Sequence, residues 1–335
     1  MHILATSSAS LDDLVEPVDL GQSPADVVAL SFTDSDLGAL AGAWRRLPDP
    51  APSLRLAALR DLRHPMSVDL WIDSVARHAK VLLVRILGGY DWWRYGCDQL
   101  ATVAREQGIR LALLPGECRE QDERLVELST VPRAELDLIL SLFREGGPSN
   151  MDALARLLGA AAQGLSADVA PLPVPKAGLY RPGSFSPRQW SLQGDEGPTS
   201  AEVSLLSPDS PGERGEQNTD APVVPLLFYR SMLLASDVAP IDALCEALAG
   251  HGIRPLPIFV PSLKDREAVA FVEKALSDAR PDAIVTATAF AAGAEPGSET
   301  LFDRAGVPVF QVIVATTRRD AWAASPRGLA PADLA

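Results

Sequence analysis

Five residues within one short stretch have types and spacing suited to chemistry: Arg85, Gly88, Gly89, Trp92 and Tyr95. A guanidinium beside large rings can hold a flat ligand that carries carboxylates, pairing at its rim and stacking on its face. Two adjacent glycines let the main chain turn sharply or approach such a ligand closely. The same residues also suit plain architecture. In that reading the rings close one end of a core and Arg85 pairs with a carboxylate such as Asp91. Further along, Arg230 and Lys264 are either carboxylate-binding groups or ordinary solvated charges next to helix starts. The residues alone leave these alternatives open.

The elements that must position them follow from hydrophobic period. Val81, Leu82, Leu83, Val84 and Ile86 form an apolar, largely β-branched run over 81–87, as in a strand covered on both faces. The spacing predicts a helix over 91–107 with Gly108 as its stop. Trp93, Cys97, Leu100, Ala101 and Ala104 share its buried stripe, which leaves Trp92 and Tyr95 off the stripe beside the Gly-Gly turn. Further strands are predicted at 2–6, 27–32, 54–59 and 109–114. Helices are predicted at 35–47, 67–79 (with Ser67 as N-cap), 132–144 and 151–163, the last opened by a Ser149–Asp152 capping box. Strand–helix alternation of this kind argues a mostly parallel, doubly wound sheet, whose ligands bind outside the carboxyl ends of the strands.

The second half repeats this logic, with strands at 223–228, 254–260, 283–286 and 307–314. Helical stripes run through Ile241, Leu244, Cys245 and Leu248, and through Ala268, Phe271, Val272, Ala275 and Leu276. Asp237 and Asp265 sit where N-caps belong. Between the halves, residues 166–222 are rich in proline and, from about 196, in Gly, Ser and acidic residues. Such a segment buries too little apolar area to offset its ordering entropy. The fold class expected is therefore α/β: two doubly wound, mostly parallel α/β domains, at 1–165 and 223–335, joined by a Pro-rich, partly disordered linker. Residues 176–192, with Leu179, Tyr180, Phe185 and Trp190 as anchors, should be pinned to a neighbouring domain. SPRGLAPADLA reads as a helix opening, which points to a piece of a longer protein whose second domain is truncated.

Several function classes drop out. Lys+Arg 30 against Asp+Glu 44 gives a net charge of −14 with no basic stripe, so no nucleic-acid partner is expected. No apolar run approaches the roughly 20 residues of a membrane span, and MHILATSSAS lacks the layout of an export signal. Cys97, Cys118 and Cys245 are scattered and odd in number, which suits a reducing cytoplasm. His2, His64, His78 and His251 are isolated, with no HExxH or CxxC, so no metal site is expected in this chain. GxxxxGK[ST], GxGxxG and GxSxG are absent, and Asp12-Asp13 and Asp122-Glu123 read as solvated faces.

Three blocks carry a resemblance. Residues 226–265, LLFYRSMLLASDVAPIDALCEALAGHGIRPLPIFVPSLKD, resemble a signature shared by the large subunits of cobalt and magnesium chelatases. Residues 84–96, VRILGGYDWWRYG, and 176–183, KAGLYRPG, resemble the cobalt (CobN-type) branch, with Arg94 standing where that branch leads one to expect a proline. The resemblance covers essentially the whole chain but only the N-terminal part of a much longer subunit. It implies ATP-dependent insertion of cobalt(II), as substrate, into hydrogenobyrinic acid a,c-diamide during aerobic cobalamin biosynthesis. It implies a tetrapyrrole held by the large subunit. An AAA+ ATPase subunit and an integrin-I-domain-type subunit would hydrolyse ATP-Mg, which this chain would not bind. Arg85, Gly88, Gly89, Trp92, Tyr95, Arg230 and Lys264 would then line part of the substrate cavity, with the catalytic base and metal ligands beyond Ala335, so that this piece alone is inactive. A magnesium chelatase acting on protoporphyrin IX, a stand-alone small-molecule receptor and a scaffold for partner subunits are the alternatives.

Overall fold

A computed structural model describes residues 16–116, 120–182, 221–288, 299–315, 319–326 and 328. The strand expected at 2–6, Asp12-Asp13, Cys118, the anchors Phe185 and Trp190, the loose stretch at 194–220 and the C-terminal helix opening lie outside those residues. The chain divides into two compact units, Met1–Leu172 and Pro173–Ala335. The division falls within the stretch read as a linker, and residues 173–182 are part of the second unit.

The first unit is built on a four-stranded sheet in the order β2-β1-β3-β4, from β1 (Val27–Ser31), β2 (Leu54–Ala58), β3 (Val81–Ile86) and β4 (Arg110–Pro115). All three pairings are parallel. β1 and β3 are buried along their whole length, which is why both read as unbroken apolar runs. One face is covered by α2 (Pro65–Ser74), α3 (Arg94–Gln107) and α4 (Glu123–Leu128), through Trp71, Ile72, Cys97, Leu100 and Leu125. The other face is covered by α1 (Asp34–Trp44), α5 (Arg133–Glu145) and α6 (Gly147–Ala162). Helices on both faces bear out the doubly wound α/β class.

The boundaries differ in instructive places. The N-cap of α2 is His64, whose Nδ1 accepts from the Met66 N–H at 3.1 Å with Pro65 at the first helical position. Ser67 is buried instead, accepting from the Val18 N–H at 2.7 Å. α3 starts at Arg94 because Tyr90–Trp92 form a 3-10 turn and Trp93 leaves helical geometry. The Ser149–Asp152 capping box does not form. α6 begins at Gly147, Asn150 is buried and ties Leu172 through its side-chain amide (2.8 and 2.9 Å), and Asp152 pairs with Arg46 at 2.6 Å.

The second unit holds a five-stranded sheet in the order β5-β7-β6-β8-β9. Its parallel members are β6 (Val223–Tyr229), β7 (Arg254–Val260), β8 (Ile284–Thr286) and β9 (Val309–Gln311). α7 (Arg230–Leu234) and α8 (Ala239–Gly250) cover one face, and α9 (Arg266–Ala279) and α10 (Leu301–Ala305) the other. Asp265 caps α9, accepting from the Ala268 N–H at 3.0 Å, whereas α8 is entered through Val238 with no cap from Asp237.

An element the hydrophobic pattern does not announce is β5 (Gly178–Leu179), a two-residue strand added antiparallel to the edge of β7. Tyr180, which follows it, is buried at 2 % exposure. Its ring packs edge-on against Phe228 at 5.6 Å and its hydroxyl donates to Asp242 Oδ1 at 2.8 Å. Burial, then that hydrogen bond, raises the Tyr180 pKa. A Cβ on Gly178 would lie 2.7 Å from Phe259 Cζ. Gly178→Ala is therefore expected to lower the stability of the second unit by about 1–3 kcal/mol through overpacking, read as a lower denaturant midpoint with the first unit's transition unmoved.

Candidate functional site

Both halves of the winding diverge at the carboxyl ends of β1 and β3, where a doubly wound sheet opens its ligand crevice. In the first unit that place is filled from within. Arg85, on β3 beside Ser31 of β1, is 3 % exposed. Its Nη1 donates to Asp36 Oδ2 at 2.6 Å and its Nη2 to the Gly116 carbonyl at 2.7 Å. Ser31 Oγ donates to the same Asp36 oxygen at 2.6 Å. The guanidinium lies 4.2 Å from the Phe143 ring centroid and 5.5 Å from that of Phe32. Asp36 sits in the first turn of α1, where the helix dipole favours an anion. The pairing reading thus holds for Arg85 with Asp36 as its partner. Asp91, the partner suggested by the sequence, pairs with Arg94 at 2.5 Å.

Of the rest of the predicted cluster, Gly88, Trp92 and Tyr95 are exposed and Gly89 is buried. Gly88 and Gly89 have φ of 82° and 67°, conformations open chiefly to glycine. The turn they make carries Trp92, 46 % exposed, and leads to Tyr95, 40 % exposed. A Cβ on Gly88 would sit 3.3 Å from Trp92 Cβ, so the glycine gives the indole its place. Tyr95 Oη donates to Asp69 Oδ1 on α2 at 2.7 Å, and that carboxylate holds the phenol above its ordinary pKa. Trp93, by contrast, is buried and donates its indole N–H to the Leu62 carbonyl at 2.8 Å. The structure therefore brings Gly88, Gly89, Trp92 and Tyr95 together, while Arg85 turns to Asp36 on α1 and Phe143 on α5, on the opposite face of the sheet from α2 and α3.

Reading the sequence missed two contributors at this rim. Tyr90 lies with the Arg124 and Arg94 guanidinium carbons 5.4 and 6.0 Å from its ring centroid, and its hydroxyl is 3.1 Å from Asp98 Oδ2. Asp122, read as half of a solvated pair, accepts from the backbone of Tyr90, Arg124 and Leu125. Asp122 is followed three residues later by buried Leu125, which is an N-cap signal in hindsight. Nothing local in the sequence announces the Tyr90 contact.

In the second unit, Arg230 is committed to structure, with Nε and Nη2 donating to the carbonyls of Pro175 and Val174 at 2.8 and 2.7 Å. Lys264 is exposed at the carboxyl end of β7. A surface cavity of about 470 Å³ near Ser277, Arg280 and Arg304, and one of about 330 Å³ near Gln121, Arg133 and Ser141, contain none of the seven predicted residues. Among the described residues no group of three His, Cys, Asp or Glu could hold a metal ion, and no helix is long and apolar enough to cross a membrane. Cys97 and Cys245 are buried thiols, both pushed up to about 12, first by burial and then by neighbouring carboxylates.

The CobN/Magnesium Chelatase family model matches residues 140–335. Over 340 aligned residues spanning the whole chain, the identity is 35 % to a protein named aerobic cobaltochelatase subunit CobN from a Sinorhizobium species. It is 37 % to the protein of that name from Pseudomonas aeruginosa. Each match takes up 25 % of the relative, so the chain spans about a quarter of the length of these curated relatives. Among solved structures, the catalytic subunit of cobaltochelatase from Mycobacterium tuberculosis has the same fold. Its TM-score is 0.65 at 24 % identity, covering 92 % of this chain and 23 % of that one.

Two outcomes follow from the buried groups. Asp36→Ala strands the Arg85 charge and should cost about 3 kcal/mol or more, whereas Asp36→Leu with Arg85→Met should recover most of it, measured by urea unfolding. In a Cys118→Ser background, Cys97 and Cys245 should stay unreactive toward a disulfide reagent at pH 8, where a free thiol near pKa 8.5 reacts readily. Reactivity should appear only as pH rises toward about 12 or the fold opens.

Proposed function

Because the chain belongs to the CobN/magnesium chelatase family, we propose that it forms part of the tetrapyrrole-binding large subunit of an ATP-dependent cobalt chelatase. The observation that carries this reading is the 35–37 % identity, over the chain's full length, to proteins named as cobaltochelatase subunits. The substrate is taken to be hydrogenobyrinic acid a,c-diamide on the aerobic route to cobalamin, in the cytoplasm. The partners are an AAA+ ATPase subunit and an integrin-I-domain-type subunit that hydrolyse ATP-Mg.

Insertion of Co(II) into a corrin ring balances only if the ring's inner N–H proton leaves as the metal enters. It therefore needs a base, ligands to receive the dehydrated ion and a deformed macrocycle. Those groups are assigned to the remainder of the large subunit. The share assigned to this chain is positional. The exposed indole of Trp92 and ring of Tyr95, held on the Gly88–Gly89 turn, pack against the flat macrocycle. Arg85 and Arg230 act indirectly, by tying the carboxyl end of β3 to Asp36 and Gly116 and by fixing the 174–175 segment.

Assays on the full-length subunit test this reading. Trp92→Ala should weaken corrinoid binding by about 1–3 kcal/mol, seen in fluorescence-quenching titrations, with the fold intact by circular dichroism. A preference for protoporphyrin IX and magnesium over the corrinoid and cobalt would move the protein to the other branch of the family. Unchanged titrations with a folded Trp92→Ala, Tyr95→Ala double variant would remove this face from the site.

A further inference from the structure

We infer that Asp122 is the positioning residue for the Trp92–Tyr95 face. Its functional consequence rests on the reading of that face as a tetrapyrrole contact, while its geometry stands independently. Asp122 Oδ2 accepts from the Tyr90 N–H at 2.9 Å, the first amide after the Gly-Gly turn. A Cβ on Gly89 would lie 2.5 Å from that same oxygen, so the carboxylate occupies the space a side chain would need. The other oxygen, Oδ1, accepts from the Arg124 N–H at 2.9 Å and the Leu125 N–H at 3.4 Å. Leu125 is buried in the core under α2 and α3. One carboxylate thus joins a flexible turn to a helix that the core holds still.

The alternatives within the turn are weak. Three of its backbone bonds are short-range, from Gly89 to Ile86 at 3.2 Å, Trp92 to Gly89 at 3.2 Å and Trp93 to Tyr90 at 3.1 Å. Two consecutive glycines with positive φ have many other conformations open to them. An ionised acceptor makes a stronger bond than a neutral one, so losing it releases the turn more than losing any of the others. Trp92 lies two residues beyond the clamped amide and moves with it.

The test separates the clamp from the cap. Asp122→Ser keeps a short oxygen that caps α4 and cannot reach Tyr90. With 5-fluorotryptophan incorporated and the Trp92 resonance assigned by Trp92→Phe, Asp122→Ser should shift or broaden that resonance. It should speed amide exchange at Tyr90 and leave Trp93 and Leu125 unchanged. Gly89→Ala, which drives the carboxylate off the Tyr90 amide, should do the same and serves if the serine variant fails to fold. A Trp92 resonance and Tyr90 exchange rate that stay put in both variants overturn the proposal. In the full-length subunit, corrinoid affinity should fall about tenfold alongside the Trp92 shift. A Trp92 shift with unchanged affinity supports the positioning and counts against the tetrapyrrole reading of the face, whereas lost affinity with Trp92 unmoved overturns the positioning.

Discussion

The first unit depends on a charge that never reaches solvent. Taking a guanidinium and a carboxylate out of water costs several kcal/mol each, and their attraction offsets this only when the remaining donors are also engaged. Around Arg85 and Asp36 both terminal guanidinium nitrogens are engaged, and the Gly116 carbonyl, the Ser31 hydroxyl and two aromatic faces surround the pair. The arrangement joins β1, β3, α1 and the end of β4 at one point, where an open α/β sheet would otherwise present a crevice. At this edge the exposed rings are Trp92 and Tyr95, on and just after the turn that follows β3.

Ion pairs elsewhere are of a different kind. Arg94–Asp91, Arg124–Glu127 and Lys176–Glu267 are exposed, and pairs like these contribute about 0–1 kcal/mol. They can exchange partners at little cost, while Arg85 cannot. The contrast explains why the residue that looked most ligand-like in the sequence is the least available, and why exposed rings on the Gly-Gly turn are the better candidates for contact.

Much of this was legible beforehand, and the failures have physical causes. β1 and β3 were read almost to the residue because strands buried on both faces leave continuous apolar runs. Trp93 and Trp92 were separated by helical phase, and the structure buries the first and exposes the second. Serine favours the cap role, which points to Ser67, yet Pro65 two residues earlier already marks the helix start. Arg85 could not be assigned from spacing, because its partner lies forty-nine positions away on another element. β5 was invisible for a similar reason. A two-residue strand has no period, and only the tertiary packing of Tyr180 against Phe228 reveals it. The KAGLYRPG block thus reads as architecture in its described part, with Gly178 admitting the Phe259 ring and Tyr180 closing the core.

That strap also constrains the order of assembly. Gly178 and Leu179 leave the ribosome well before Phe259 and Ile258, the residues they pair with, and β6 lies between them in the chain. β5 therefore cannot pair until β7, synthesised later, is available as its template. During synthesis residues 178–180, including a tyrosine destined for the interior, wait unprotected until the downstream template exists, so the second unit closes late and by a long-range step.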